Sequence, residues 1–449
     1  MRRDILHPGA GKLKYEIREI VSFARSLEKW NIPVHWENIG DPVQKGEKVA
    51  EWIKEIVREK AGENLSYAYS ETEGNRLARE FLSTQANLRS SLKLPESGCE
   101  MAVPERTAFT KAEDILFFNG LGDAVAKVFG FLRREARVLG PSPAYSTLSS
   151  AEAAHSGYEH LTYRLDPQRD WMPDMNDVEL KVKYNDSIAG ILLINPDNPT
   201  GAVYPVEILL EFVRIARKYG LFIVCDETYA NIVYGGAKTS ALSQIIADVP
   251  GIALRSISKE VPWPGARCGW VEVYNRKTDP NFDAYIKSLL DAKRLEVCST
   301  SLPQLCIPAI LGDPRYGKHL ETRASMFEKR SDEAEEAFEN IPGIHMKKPK
   351  GAFYATAVFD DVLYENSDSR SLPVRDDGLR DYIRAETAGL KPDKQFVYWL
   401  LASRGICVVP LSGFASDLPG FRFTLLESDD EKRKWIFKTL GEAAREYLR

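Results

Sequence analysis

The chain has 449 residues, 44% of them apolar and 28% charged, enough to bury sizeable cores in roughly two to four domains. Its net charge of −5 leaves no basic footprint for nucleic acid and turns attention to small molecules. No stretch reaches the ~18 consecutive apolar residues of a membrane span, and MRRDILHPGAGKLKYEIREIV at the N-terminus holds no apolar core of signal-peptide length.

The first expected helix is YEIREIVSFARSLEKW, residues 15–30. Residues 86–113 are polar and read as a loop or surface insertion with some helix. ILFFNGLGDAVAKVFGFLRRE, 115–135, reads as strand, glycine turn and helix, with Val125, Val128, Phe129 and Leu132 on one face and Arg133 and Arg134 near its negative end. ARVLGPSPAY, 136–145, ends another strand. SIAGILLIN (187–195) is a buried strand, and PVEILLEFVRIARKY (205–219) is a helix opened by Pro205 and stopped by Gly220. LFIVCDE (221–227) and GIALRSIS (251–258) are two further strands. This alternation predicts a parallel sheet, whose ligands sit at the carboxyl ends of its strands.

After about residue 315 the pattern changes to a charged helix followed by KGAFYATAVF and FRFTLL, the strands of a smaller α+β unit on which the first helix should also pack. A second polar stretch spans 364–394. The expected division is an N-terminal segment, 1–62, contributing to the small domain, a large domain over 63–314, and the C-terminal small domain, 315–449. The six cysteines, Cys99, Cys225, Cys268, Cys298, Cys306 and Cys407, show no CxxC pair and no histidine at metal-ligand spacing. That usage suits a reducing compartment, so a cytoplasmic protein without a metal is expected.

Chemistry-bearing residues gather just past the strands. Gly120 and Gly122 precede a helix whose free N–H groups suit an anion; a dinucleotide fingerprint would need a third glycine. NPDNPTG, 195–201, fixes Asn198 in an ordered loop. DETY places Asp226 and Tyr229 at a strand end, where Asp226 alone could be a helix cap. In SISKEVPWPGARCGW, Lys259 demands a nearby anion or a chemical task, because an unpaired ammonium is costly to bury. Ser256 and Arg267 there could clamp phosphate, and Arg267 alone could be a surface ion pair. One ligand would account for all of them: a phosphate, a group needing a carboxylate, an oxyanion for amide and phenol, and an electrophile for an amine.

Pyridoxal phosphate has those features, and the chain resembles the fold-type I, class I/II aminotransferases. NIGDP, YAYSETEGNRLARE, NGLGDAVAKV, PSPAY, NPDNPTG, DETY, SISKxxxxxGxRxGW and FRFTLL occur in that family's order over nearly the whole chain. The resemblance implies an α/β fold with a mostly parallel central sheet in the large domain and a smaller α+β domain drawn from both chain ends. It implies that Lys259 forms an aldimine with the cofactor and moves the substrate's α-proton. Asp226 would pair with the ring nitrogen, and Asn198 and Tyr229 would bond the ring oxygen. Ser256, Arg267 and the N–H groups of Leu121 and Gly122 would hold phosphate, although relatives usually carry serine or threonine at the Gly122 position. Tyr145 would stack on the ring, and Tyr69 would reach the phosphate of a partner subunit, implying a homodimer with shared sites. Arg422 would bind the substrate α-carboxylate, and Gly40 would let the backbone approach substrate. The arginine that reads dicarboxylates in the aspartate enzymes falls near Glu296, beside Arg294.

The function implied is amino transfer between an L-amino acid and 2-oxoglutarate or pyruvate by a ping-pong route. A carbon–sulfur β-lyase or a related elimination on the same scaffold is the enzymatic alternative. A pyridoxal-phosphate-binding transcription regulator would need an N-terminal DNA-binding domain, for which the family-like segment beginning by residue 38 leaves no room. A nicotinamide dehydrogenase would leave Lys259, Asp226 and Asn198 without a task.

Overall fold

The computed structural model describes residues 6, 7, 9–12, 16–94, 108–360 and 370–449. Its strands are β1 (His35–Trp36), β2 (Ile115–Phe118), β3 (Arg137–Ser142), β4 (Thr162–Asp166), β5 (Met172–Pro173), β6 (Ile188–Ile194), β7 (Phe222–Asp226), β8 (Gly251–Ser256), β9 (Gly269–Tyr274), β10 (Ile344–Met346), β11 (Tyr354–Phe359), β12 (Ile406–Cys407), β13 (Val409–Pro410) and β14 (Gly420–Thr424).

Eight of them form one sheet in the order β2-β9-β8-β7-β6-β3-β4-β5. From β8 to β4 neighbours run parallel, while β9 is antiparallel to both β2 and β8. The apolar runs are short and uninterrupted because helices cover both faces. Helix Val206–Tyr219 shows how sequence sets the boundaries: Pro205 stands at its N-cap, and Gly220 closes it in the left-handed region at φ 65, where glycine has no Cβ to clash. Its inner face buries Leu209, Phe212, Val213 and Ile215, and truncating Phe212 to alanine would cost roughly 3–5 kcal/mol.

The helix after β2 spans Leu121–Gly130, so Arg133 and Arg134 lie beyond its end and do not complement its dipole as expected. Residues 86–91 finish the helix Arg76–Ser91, whereas 95–107 fall outside the described residues. Of the stretch 364–394, residues 370–394 include helix Asp377–Thr387 and the start of Pro392–Arg404.

A second, antiparallel sheet has the order β10-β11-β14-β13, and β1 pairs in parallel with β12. One hydrophobic cluster contains Ile20, Phe23, Ala24 and Leu27 together with Phe396, Leu400, Phe421 and Phe437, so the first helix packs against the C-terminal part. Ile53, on helix Glu51–Ala61, instead joins Leu82, Ile115 and Cys306 beneath the large sheet. The N-terminal segment thus contributes to both cores.

Candidate active site

Strand register brings the motifs together. Phe118, Gly269 and Ser256 sit side by side across β2, β9 and β8, which sets the Gly120 turn, Arg267 and Ser256 at one edge. Gly120 caps the following helix at φ 83, and a Cβ there would lie 2.4 Å from Arg267 Nη2. The guanidinium therefore rests against a helix start whose first N–H groups, Leu121 and Gly122 included, have no intrahelical acceptor. Helix dipole, N–H donors and the exposed Arg267 guanidinium thus lie together, the composition of an anion cup. Ser256 is buried, and its Oγ accepts from Ser258 N at 3.3 Å. Among the described residues, a Cβ on Gly122 would meet nothing within 4 Å, so there is open space at this position of the helix start.

One strand over, Ile194 pairs with Asp226 and Asp226 with Leu254. The Asp226 carboxylate is buried, and Thr228 donates to its Oδ1 from Oγ1 at 2.6 Å and from N at 3.0 Å. Desolvation raises its pKa, opposed by Thr228 and the charge of Lys259. A buried carboxylate short of a cation is suited to a cationic ring nitrogen.

Lys259 follows β8 and is partly accessible. Its Nζ donates to Gly40 O at 2.5 Å and lies 5.8 Å from the centre of the Phe353 ring. Desolvation brings its pKa down to about 8, with Asp41 opposing and Arg422 and Arg267 reinforcing the fall. An amine so placed is half neutral near pH 8, so a far larger share than for an ordinary lysine is in the state a nucleophile or base requires. Its backbone is fixed as well: Arg323 Nη1 donates to Lys259 O at 2.7 Å, and the same guanidinium pairs with Glu47 at 2.6 Å.

Arg422, on β14 between Thr356 and Val409, is 1% exposed. Its Nη2 donates to Asn38 O at 2.5 Å and its Nη1 to Asn198 Oδ1 at 3.3 Å, while Nε is buried with no acceptor among the described residues. Both side-chain polar atoms of Asn38 are likewise buried without partners among the described residues. Groups left so cost free energy until something fills them. The guanidinium lies 4.4 Å from the Tyr354 ring centre and 5.1 Å from that of Phe414.

Tyr354 joins these parts. Its Oη is 3.1 Å from Tyr229 Oη, its ring lies under Arg422, and a Cβ on Gly40 would fall 2.0 Å from its Oη. Position 40 therefore requires glycine because a tyrosine hydroxyl occupies the space of a side chain. Lys259, Gly40, Tyr354, Tyr229, Arg422 and Asn198 form one continuous set of contacts. Tyr145 precedes helix Ser146–Ser156 and is half-buried. Tyr69 is 83% exposed and, among the described residues, stands apart from this set.

A sequence profile described as aminotransferase class I and II matches residues 39–435. The chain belongs to this family. It is similar along its full 449 residues to an uncharacterized aminotransferase of Methanocaldococcus jannaschii, at 51% identity with both chains wholly covered. It is also similar to the glutamate–pyruvate aminotransferase of Escherichia coli, 28% identical over 363 residues, 80% of this chain and 83% of that one. The alanine aminotransferase of Pyrococcus furiosus has the same fold, with a TM-score of 0.80 at 24% identity and 98% of each chain covered.

The chain is thus an aminotransferase of fold type I, with a mostly parallel central sheet, and members of its class use pyridoxal phosphate. The residues present fit that group: the cup at Gly120 and Arg267 suits its phosphate, Asp226 its ring nitrogen, and Lys259 its carbonyl. Neither Tyr354 nor Asn38 was assigned a role from sequence. KGAFY, which ends in Tyr354, and the asparagine before Ile39 and Gly40 were the available signals. Among the described residues no helix is long and apolar enough to cross a membrane.

Proposed function

We propose that this aminotransferase moves an amino group between an L-amino acid and 2-oxoglutarate or pyruvate by a ping-pong mechanism, with Lys259 as the residue that carries the cofactor. The observation that supports it is the buried Arg422 guanidinium with an unused Nε, joined through Tyr354 and Gly40 to the amine of Lys259. A carboxylate bound there by two parallel N–H bonds directs the rest of the substrate toward Lys259. Pyridoxal phosphate supplies, when bound, a carbonyl that accepts an amine and a ring that withdraws the electron pair left at Cα.

The chain's own residues do the rest. Lys259 Nζ takes the α-proton in its neutral form and returns it. Asp226 holds a proton at the ring nitrogen, and Tyr229 and Asn198 bond the ring oxygen. Ser256, Arg267 and the N–H groups of Leu121 and Gly122 anchor the phosphate, while Tyr145 covers one ring face. Gly40 closes over substrate with its segment.

The relatives named as glutamate–pyruvate aminotransferases support an alanine-type substrate pair. Arg294 is exposed and paired to Asp291 at 2.6 Å, which supports that choice over an aspartate-specific one. We place Tyr69 at the phosphate of a partner subunit's cofactor in a homodimer. Its exposure, with Tyr67 beside it at 81%, supports an interface here. The domain division and the cytoplasmic setting expected from sequence belong to the same proposal.

The test is to load the protein with pyridoxal phosphate and offer a panel of amino acids with and without 2-oxoglutarate or pyruvate. Oxo acid formed only when an acceptor is present supports transamination. Ammonia released without an acceptor would replace this reading by a lyase.

A further inference from the structure

Behind the active site lies a cavity of about 510 Å³, opening between residues 169–172, the stretch 200–205, the Gly235–Gly236 turn and residues 347–350. Among the described residues its lining contains five cations, Arg169, Lys238, Lys347, Lys348 and Lys350, and one carboxylate, Asp170. Lys347 and Lys350 share Asp170 at 3.6 and 3.7 Å, and Lys348 is paired with Asp332 and, at 4.0 Å, with Glu335. Arg169 and Lys238 have no ion pair among the described residues. Five cations thus face three pairing carboxylates, Asp170, Asp332 and Glu335, an excess of two positive charges at one concavity of a chain whose net charge is −5. Like charges facing a shared hollow repel one another unless an anion enters.

A second observation points the same way. Trp171 lines the hollow, is 2% exposed, and its Nε1–H meets no acceptor among the described residues. Buried indole N–H groups normally find a partner. Asp170 and Trp171 are both left-handed, at φ 52 and 61, a conformation that a bulky L-residue holds only when its surroundings impose it.

We propose that this cavity is a second binding site, for a small anion with two or more charges on clustered oxygens, a phosphate compound or a polycarboxylate. Arg169, Lys238, Lys347 and Lys350 would take the charged oxygens. The site borders the active centre. Lys350 N and Gly351 N both donate to Gly201 O at 3.0 Å, and a Cβ on Gly201 would lie 2.6 Å from Tyr354 O. One wall therefore continues into the loop of Asn198, and the other into Tyr354.

Calorimetric titration of the pyridoxal-phosphate-loaded protein with pyrophosphate and, separately, citrate at fixed ionic strength tests this; loading keeps the phosphate cup filled. The expected result is saturable binding of one anion per chain, with acetate much weaker. K347Q/K350Q should weaken it about tenfold or more, and K238E, on an exposed turn, about fivefold, on the scale of lost charge-assisted contacts. K54Q, an exposed lysine elsewhere, should leave it within about twofold. Binding of pyrophosphate alone assigns phosphate compounds, and of citrate alone polycarboxylates. No saturable binding of either anion, or binding that K347Q/K350Q and K238E leave unchanged, overturns the proposal. Neither readout depends on turnover, so failure here is distinct from failure of the transamination reading.

Discussion

Gly40→Ala asks how closely the N-terminal segment is fitted over the lysine. A Cβ there would sit 2.0 Å from Tyr354 Oη and 3.1 Å from Tyr354 Cζ. Ordinary contact needs about 3.5 Å, so the hydroxyl must retreat by roughly 1.5 Å. It cannot do so freely, because it is bonded to Tyr229 and its ring lies against Arg422. Overpacking of this kind costs about 1–3 kcal/mol, which corresponds to a fall of about 5- to 150-fold in kcat/KM if it acts on the substrate-bound arrangement. Tyr354→Phe alone removes one neutral hydrogen bond, about 0.5–1.5 kcal/mol, or roughly 2- to 12-fold. In the double variant the offending oxygen is gone, and Cζ at 3.1 Å needs to yield only slightly. G40A/Y354F should therefore outperform G40A alone, by about threefold or more, a coupling that independent sites do not show. The assay is kcat/KM for the preferred amino donor, with urea unfolding run in parallel to confirm that each variant folds. If the double variant shows the product of the two single losses, the tyrosine hydroxyl is not what reserves position 40 for glycine.

In cofactor-free protein the Lys259 amine should titrate near 8, so acylation followed by peptide mass spectrometry should rise as pH passes that value. A midpoint in the ordinary lysine range, above about 10, would show that burial does not lower this amine's pKa. Arg422→Lys keeps the charge but loses paired N–H donation, and should raise KM for amino acids about 10- to 100-fold with a smaller change in kcat; an unchanged KM would move the carboxylate site elsewhere. Gly122→Ser adds a hydroxyl where there is open space and should tighten pyridoxal phosphate about 2- to 10-fold, measured by equilibrium dialysis. Weaker binding would show that the cup does not open toward that position. Glu47→Gln leaves the buried Arg323 charge unpaired and should cost roughly 3–5 kcal/mol in urea unfolding. A loss near zero would mean that Arg323 is solvated in solution.

The parallel core of the large sheet was legible because each strand is an apolar run of five to seven residues between polar turns, and each crossover helix carries its own stops, Pro205 and Gly220 among them. The residues at the strand ends were legible for the same reason: a carboxylate, an amine and a guanidinium beside buried strands each demand a partner. The antiparallel β9 was less visible, since GWVEVY reads as a continuation of the lysine motif, and direction depends on a return path that no local pattern encodes. Helix Leu121–Gly130 ended early because its third turn reaches glycine, which the charges of Arg133 and Arg134 masked. Tyr354 escaped because its role is made by three partners from residues 40, 229 and 422. Ile53 joined the large sheet's cluster because the apolar stripe of a helix shows that it must pack, but not against which neighbour.

The pairing of β1 with β12, and of the first helix with the C-terminal core, also bears on how the chain is made. Glu19 meets Lys394 across 375 positions, and Phe23 stacks on Tyr398 with ring centres 4.1 Å apart. At ribosomal rates of roughly 5–20 residues per second, the first helix must wait on the order of 20–75 seconds for these partners to emerge. During that interval its apolar stripe has no native cover, which makes the nascent amino-terminal arm a stretch that a holding chaperone would protect.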